Sequence, residues 1–492
     1  MYLNKNVVKT KWLKMKVGLT FTDVLLVPKK TPLRSRTEAD IRTRFTKNIS
    51  LNIPLISANM ATVTEHRMAI AMAREGGLGV IHQFNSVEEQ IEEVKKVKRS
   101  TSYIIEDPVS VPPTIMVWEA VKIMETQGVT SLLVIDNGGS ADGELVGIFT
   151  SRDYLFEEKL DKKISEVMTP RERLVTAPYG IELDKAKKIL HKHRIEKLPL
   201  LENGKLRGLI TTKDLRKLEQ WPNASRDEKG QLMVGAAVGV KDTIERSRAL
   251  ICAGADVIVL DIAHCHSELA IQRIKEFKQH FPNVDLMAGN IATADAAKDL
   301  IEAGADGLKV GIGPSAVCTT RIMSGSGIPQ LTAIMDVVSV AKWHGIPVSA
   351  DGGMQYPGDV AKAIGAGAST IYSGSFFAGT DEAPGFIIMK DGKRYKRYMG
   401  SASYDSNHER AESAEGRKMK EKLDVFVEGV AILVDYKGSV REVIKGLVKG
   451  LQSGISYCGG IDIKEMQENA EFIQITQNGW EESKSRGTKL SE

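Results

Sequence analysis

Gly311-Ile312-Gly313-Pro314-Ser315-Ala316 leads an apolar run into a turn, and Val317-Cys318-Thr319-Thr320-Arg321 follows at once. A thiol among hydroxyls, with a cation behind it, is a candidate nucleophile. Thiolates attack electron-poor carbon, and neighbouring hydroxyls can move a proton. Glycines at 311 and 313 let the backbone close on a ligand, and free N–H groups in such a turn cradle an anion. The alternative for the same residues is a tight turn that happens to bury a cysteine. Other groups suited to binding also end apolar runs: Ser57-Ala58-Asn59-Met60, Asp261-Ile262-Ala263-His264, Asn290, Asp351-Gly352-Gly353 and Ser373-Gly374-Ser375.

The elements that must position these groups are short continuous apolar strands alternating with helically spaced stretches. Such strands imply a parallel sheet covered on both faces. Two precede residue 100 and six follow residue 222, giving eight strand–helix units. The expected fold is therefore α/β, a (β/α)8 barrel, in which the C-terminal strand ends line one mouth. Glycine turns after the seventh and eighth strands, at Gly352-Gly353 and Gly374-Ser375, are expected to hold a phosphate on their N–H groups. A doubly wound sheet is the alternative, but Gly311-x-Gly313 lacks a third glycine and no G-x-G-x-x-G opens a helix.

Between the second and third strands the texture changes. Ala120-Val121-Lys122-Ile123-Met124, then Val129 to Asp136, then Val146 to Leu155, recurs in the same order as Ala186 to Leu190, Ile195 to Glu202 and Arg207 to Arg216. A self-similar pair of about 60 residues is a structural unit. Each half resembles a CBS motif, and the tandem resembles the adenine-nucleotide-sensing pair of regulated enzymes. By that resemblance Thr150, Asp153, Thr211 and Asp214 match phosphate- and ribose-contacting positions, for an adenine or guanine nucleotide effector. A spacer that binds nothing is the alternative. The expected domains are 1–99 and 223–492 for the barrel and 100–222 for the tandem module.

Composition sets outer limits. The chain has 492 residues, 42% apolar and 26% charged, and a net charge of +4, too small to suggest nucleic-acid binding. Its four cysteines form no C-x-x-C pair, so neither a disulfide framework nor zinc is expected, and a reducing, cytoplasmic setting is. No apolar run is long enough to span a bilayer, and the basic segment before Val17 reads as a tail.

Along nearly its whole length the chain resembles the IMP dehydrogenase / GMP reductase family. The resemblance is carried by Phe21-Thr22-Asp23-Val24-Leu25-Leu26, Ala73 to Gly79, Asp261-Ile262-Ala263-His264, Ala288-Gly289-Asn290, Cys318-Thr319-Thr320-Arg321, Asp351-Gly352-Gly353 and Gly379 to Gly385. It implies a purine nucleoside monophosphate attacked at C2 by Cys318, and hydride exchange with NAD(H) or NADP(H). It places Ser57, Met60, Ser315, Asp351, Gly352, Gly353, Gly374, Ser375 and Gly400 on the nucleotide. Asp261, Ala263, His264, Asn290, Gly311 and Gly313 fall to the cofactor. A monovalent cation, K+, is implied on carbonyls of Gly313 and Cys318, and the assembly is a homotetramer or octamer.

Reaction direction is expected to lie in a flap at 399–438. The dehydrogenase hydrolyses its intermediate with an Arg-Tyr pair, and none occurs there. The reductase needs a carboxylate that works with a cysteine-loop threonine. Ala411-Glu412-Ser413-Ala414-Glu415-Gly416-Arg417-Lys418 resembles the reductase segment, making Glu415 that carboxylate and Thr320 its partner. Ala58-Asn59-Met60 points the same way. Ala263-His264 with His266, and Glu382-Ala383-Pro384-Gly385, resemble the dehydrogenase. Departures at Ser315-Ala316, at Met60-Ala61-Thr62-Val63 and around Met399-Gly400-Ser401 keep a catalytically silent nucleotide sensor in view.

Overall fold

The computed structural model describes residues 15–100, 104–106, 108–136, 143–155, 160–404, 406 and 427–485. The chain divides into two compact units, one formed by residues 1–97, 223–225 and 233–492, the other by 98–222 and 226–232.

The first unit is a closed barrel of eight parallel strands. They are β1 (Leu55–Ser57), β2 (Leu78–Ile81), β3 (Gly235–Val238), β4 (Val257–Asp261), β5 (Asp285–Ile291), β6 (Gly307–Val310), β7 (Val348–Asp351) and β8 (Thr370–Ser373). The strands run as continuous apolar stretches because the barrel interior covers one face and the helices the other. Helices α1 (His66–Arg74), α2 (Val87–Ser100), α3 (Thr243–Cys252), α4 (Glu268–His280), α5 (Ala294–Glu302), α6 (Gln330–Ala341), α7 (Pro357–Gly365) and α8 (Val440–Tyr457) follow the strands in turn. Packing of helix on strand is close. A Cβ at Gly79 would stand 2.4 Å from the Cα of Ala69 on α1, so only glycine fits at that point of β2.

The barrel core joins Ile56, Leu78, Val80, Ala237, Val257, Val259, Met287 and Tyr372. A small antiparallel hairpin, Thr43–Arg44 with Ser50–Leu51, adds Phe45, Ile49 and Leu51 to that cluster. The Asp285 carboxylate, at the start of β5, accepts from the backbone and the amide of Asn48, at 3.0 and 2.7 Å. The hairpin is thereby fixed at the end where the strands begin, which leaves the opposite mouth for ligands. After β8 the chain forms a three-stranded antiparallel sheet, β9 (Ile388–Lys390), β10 (Lys393–Met399) and β11 (Ala431–Asp435).

The second unit contains two four-stranded sheets. In one, Leu145–Thr150 pairs antiparallel with Ser131–Ile135; in the other, Lys205–Thr211 pairs antiparallel with Lys197–Glu202. The repeat seen in the sequence is visible in its helix ends. Val117–Gln127 stops at Gly128 (φ 64°) and Leu183–His193 stops at Arg194 (φ 54°), both left-handed. The shared geometry is the usual way for a helix to close its last carbonyls, although glycine adopts it without the strain that arginine bears.

Candidate active site

At the mouth of the barrel lies a cavity of about 440 Å³. Of the residues expected on the nucleotide, Met60, Ser315, Asp351 and Gly400 line it; of those expected on the cofactor, Asp261, Ala263, Asn290, Gly311 and Gly313 do. Cys318 and Thr320 line it too. The cavity wall draws on all eight strands or their following loops.

The cysteine loop is held open by specific contacts. Gly311 and Gly313 have φ of 152° and 83°, the region that favours glycine. A Cβ on Gly313 would lie 2.5 Å from Cγ of Arg321. The Arg321 guanidinium donates to the carbonyls of Ile312 and Ile328, at 3.3 and 2.5 Å. Its role is thus to staple the loop rather than to face the ligand. Its acceptors are the carbonyls of Ile312 and Ile328, not those of Gly313 and Cys318 on which the cation is expected.

Cys318 Sγ lies 3.1 Å from Thr320 Oγ1, and Thr320 Oγ1 donates to Glu428 Oε2 at 3.0 Å. Since the threonine's proton points to the carboxylate, its oxygen is free to accept from the thiol. The backbone fixes this line. Thr319 N donates to Glu428 O at 2.9 Å, Val430 N to Val317 O at 3.0 Å and Gly400 N to Val430 O at 3.0 Å. A Cβ on Gly400 would sit 2.6 Å from Val317 O, so the close approach of the flap to the cysteine loop demands glycine. Glu415 lies outside the described residues; the carboxylate on Thr320 is that of Glu428. Both belong to Glu-Gly dipeptides, Glu415-Gly416 and Glu428-Gly429. The bridge between Gly429 and Cys318 brings the second of these to the cysteine loop.

Beneath the mouth lies a charged network that the sequence reading passed over. Lys309, on β6, is 3% exposed and its ammonium bridges Asp261 Oδ1 at 2.5 Å and Asp351 Oδ2 at 3.3 Å. Burial opposes the lysine's charge, yet the two carboxylates outweigh it and hold its pKa above the ordinary lysine value. Asn59 donates to Asp261 Oδ2 at 2.9 Å, and Asn290 donates to Asp351 Oδ2 at 2.8 Å and to Gly311 O at 2.7 Å. The Tyr372 hydroxyl donates to Asn59 Oδ1 at 2.6 Å. Burial, followed by the two nearby carboxylates, pushes that phenol well above its usual range, so it stays a neutral donor. The carboxamide oxygen of Asn290 is buried without a donor, an acceptor ready for a ligand N–H or O–H.

The other expected residues sit as follows. Ser57 does not reach the cavity; it is fully buried and accepts the Thr64 hydroxyl at 2.9 Å. Gly352 and Gly353 have φ of 81° and 84°, and a Cβ on them would lie 3.3 Å from Ser315 N and 3.1 Å from Cβ of Pro314, respectively. At Gly374 a Cβ would meet the Tyr398 hydroxyl at 2.5 Å and Met60 Sδ at 2.7 Å. Tyr398 is 1% exposed, its hydroxyl bonds Ser315, and burial raises its pKa. Ser375 is half-buried and its carbonyl accepts Lys437 Nζ. His264 is exposed and outside the cavity wall, 6.3 Å ring to ring from His266. His266 in turn bonds Asp299 at 2.8 Å. Glu382 of the dehydrogenase-like turn accepts the Ser439 hydroxyl at 3.1 Å and Val440 N at 2.8 Å, capping α8. Gly239, Val240 and Lys241, after β3, extend the cavity wall and were not foreseen.

In the second unit, Thr150 N and Oγ1 both donate to Asp153, at 2.6 and 2.8 Å, closing the first turn of the following helix. A cavity of about 380 Å³ is lined by Thr130, Ser131, Lys197, Thr211 and Lys213 among others, with Thr150 and Asp153 outside it. The side chain of Asp214 lies outside the described residues.

A closed parallel barrel whose mouth gathers a cysteine loop with the carboxylates Asp261 and Asp351 has the architecture of an α/β-barrel enzyme. Residues 18–486 match the IMP dehydrogenase / GMP reductase domain, and the chain belongs to that family of oxidoreductases. Its members act on purine nucleoside monophosphates with NAD(H) or NADP(H). The chain is 49% identical over 482 residues to inosine-5′-monophosphate dehydrogenase of Nitrosopumilus maritimus, covering 97% of this chain and 100% of that protein. It is 46% identical over 479 residues to the Bacillus subtilis enzyme of the same name, covering 97% of each. Among solved structures it is similar to the C318A variant of GMP reductase from Trypanosoma brucei in complex with guanosine 5′-monophosphate. There the TM-score is 0.85 at 41% identity, over 97% of this chain and 99% of that one. The same reductase in complex with guanosine 5′-triphosphate gives a TM-score of 0.74 at 39% identity, over 94% and 99%. Among the described residues no helix is long and apolar enough to cross a membrane.

Proposed function

We propose that the chain reduces GMP to IMP with release of ammonia. The observation that carries this reading is the line from Cys318 through Thr320 to Glu428, at 3.1 and 3.0 Å. The thiol passes its proton to the threonine as the threonine passes its own to the carboxylate. Sγ adds to C2 of guanine as the C2=N3 pair moves onto N3. The relay then gives its proton to the 2-amino group, which leaves as ammonia with its bonding pair while the pair on N3 re-forms C2=N3. Asp261 would hold a nicotinamide cofactor, which would supply the hydride that replaces sulfur on C2 as the Cys318 thiolate leaves with its pair. Water has no place in this sequence, which fits a flap without an Arg-Tyr pair.

The ribose diol of the nucleotide donates to Asp351, and its phosphate is assigned to the backbone N–H groups of Gly353, Gly374 and Ser375, the Tyr398 hydroxyl lying beside Gly374. The cofactor's nicotinamide ribose lies on Asp261, with the carboxamide oxygen of Asn290 free to accept. Lys241, an exposed cation on the cavity wall, suits the 2′-phosphate of NADPH. No K+ is needed by this scheme. In the tandem unit, the cavity beside Thr211, Lys197 and Lys213 suits a nucleotide effector, which would register as a shift in melting temperature.

The second reading is IMP dehydrogenase, favoured by the names of the relatives. Two of the residues behind that resemblance have structural duties here: Glu382 caps α8, and His266 pairs with Asp299. A silent sensor has no use for a thiol–threonine–carboxylate line. A two-way assay of purified protein decides: GMP with NADPH should consume reduced cofactor, and IMP with NAD should produce none. The opposite outcome would establish the dehydrogenase.

A further inference from the structure

Lysine 309 occupies a position where a charged side chain is costly. Every residue of β6 is buried, and taking an ammonium out of water costs several kcal/mol unless it is paired. The pairing partners come from two other strands, Asp261 at the end of β4 and Asp351 at the end of β7. The side chains of these carboxylates are 16% and 21% exposed, against 3% for Lys309. The acids are the more exposed of the three, and Lys309 lines the same cavity between them. Each acid has one further support, Asn59 for Asp261 and Asn290 for Asp351. The ammonium also lies 4.8 Å from the centre of the Tyr372 ring, whose hydroxyl returns to Asn59. The result is a ring of contacts with a single cation at its centre. A carboxylate grips a ribose diol well only when it is ionised and fixed in orientation, and here one ammonium does both for two acids.

We propose that Lys309 is a shared positioning residue: its one ammonium aims both ribose-binding carboxylates and so links the nucleotide site to the cofactor site. The proposal rests on the assignment above of Asp351 to the nucleotide and Asp261 to the cofactor. Without the ammonium, two carboxylates face each other across the mouth with no counter-charge. They then swing apart or share a proton, and both riboses lose their acceptor together.

The test is calorimetric binding of GMP and of NADP+ to the full chain, with a double-mutant cycle. Lys309→Met should weaken both ligands by about tenfold or more. Asp351→Asn should weaken mainly GMP, and Asp261→Asn mainly NADP+. In the Asp351→Asn background, adding Lys309→Met should cost GMP little further while still costing NADP+ its full factor. A lysine that served only stability would lower the melting temperature and leave both affinities of the folded protein in place, and that result overturns the proposal. Should Lys309→Met not fold, Lys309→Arg decides: it keeps the charge, so both affinities must hold or shift together, and a change in one alone refutes the link. Failure of the wild type to bind any purine monophosphate would instead sink the assignment of function.

Discussion

Replacing Glu428 by glutamine tests the chemistry most directly. The carboxylate accepts the Thr320 hydroxyl at 3.0 Å, whereas the contact that docks this segment on the cysteine loop runs through the backbone, Thr319 N to Glu428 O at 2.9 Å. Glutamine keeps the length, the backbone bond and a neutral acceptor for the threonine. A hydrogen bond to a charged group is worth about 1.5–3 kcal/mol and a neutral one about 1 kcal/mol. Glu428 is half-buried, so the stability cost should be about 1 kcal/mol or less, and GMP should still bind. What glutamine cannot do is take the thiol's proton and return it to the leaving amine. Loss of a positioned acid–base group lowers rates by about 10²–10⁴, or roughly 3–5 kcal/mol of barrier at 1.36 kcal/mol per tenfold. The assay follows GMP-dependent oxidation of NADPH and ammonia release, with calorimetry for GMP affinity. A Glu428→Gln enzyme with near wild-type kcat would refute the relay. A large fall in melting temperature with unchanged kcat in the folded fraction would make Glu428 a docking residue only.

Three further outcomes are expected. Cys318→Ala should abolish turnover and leave GMP binding measurable, since the thiol forms the bond to C2; residual turnover would rule out the covalent route. Lys241→Ala should weaken NADPH by about tenfold and NADH little, measured by cofactor fluorescence; equal loss for both would remove the 2′-phosphate role. Burial pushes the Cys265 thiol up to about 12 from 9.0. A raised folded-state pKa contributes stability that is complete below about pH 9 and is lost as pH rises toward about 12, up to roughly 4 kcal/mol. Urea denaturation at about pH 8 and about pH 10 should show Cys265→Ala losing about 1.4 kcal/mol less than the wild type over that interval; parallel losses would mean that this thiol does not titrate with unfolding.

Much of the site was legible because its signals are local. Strand ends can be read from mostly apolar runs, three to seven residues long in the barrel, and the barrel then dictates that those ends share a mouth. Cys318, Asp261, Asn290 and Asp351 were found that way. Ser57 was misjudged by the same reasoning. It stands at the last position of β1, where a side chain alternates between core and mouth, and its hydroxyl turned to Thr64. The family resemblance supplied roles that no spacing contains.

The amino-acid sequence by itself determined the alternation of strands and helices, the repeat in the second unit, and a thiol on a glycine loop. These follow from short-range periodicity, turn chemistry and side-chain type. Only the tertiary structure shows that Glu428, 108 residues away, accepts the Thr320 hydroxyl, and that Lys309 stands between two acids 48 and 42 residues from it. Two Glu-Gly dipeptides look alike in one dimension. A lysine in an apolar strand looks like an error until the strands on either side bring their carboxylates to it, because the electrostatic energy that keeps it charged depends on distances in space and not along the chain.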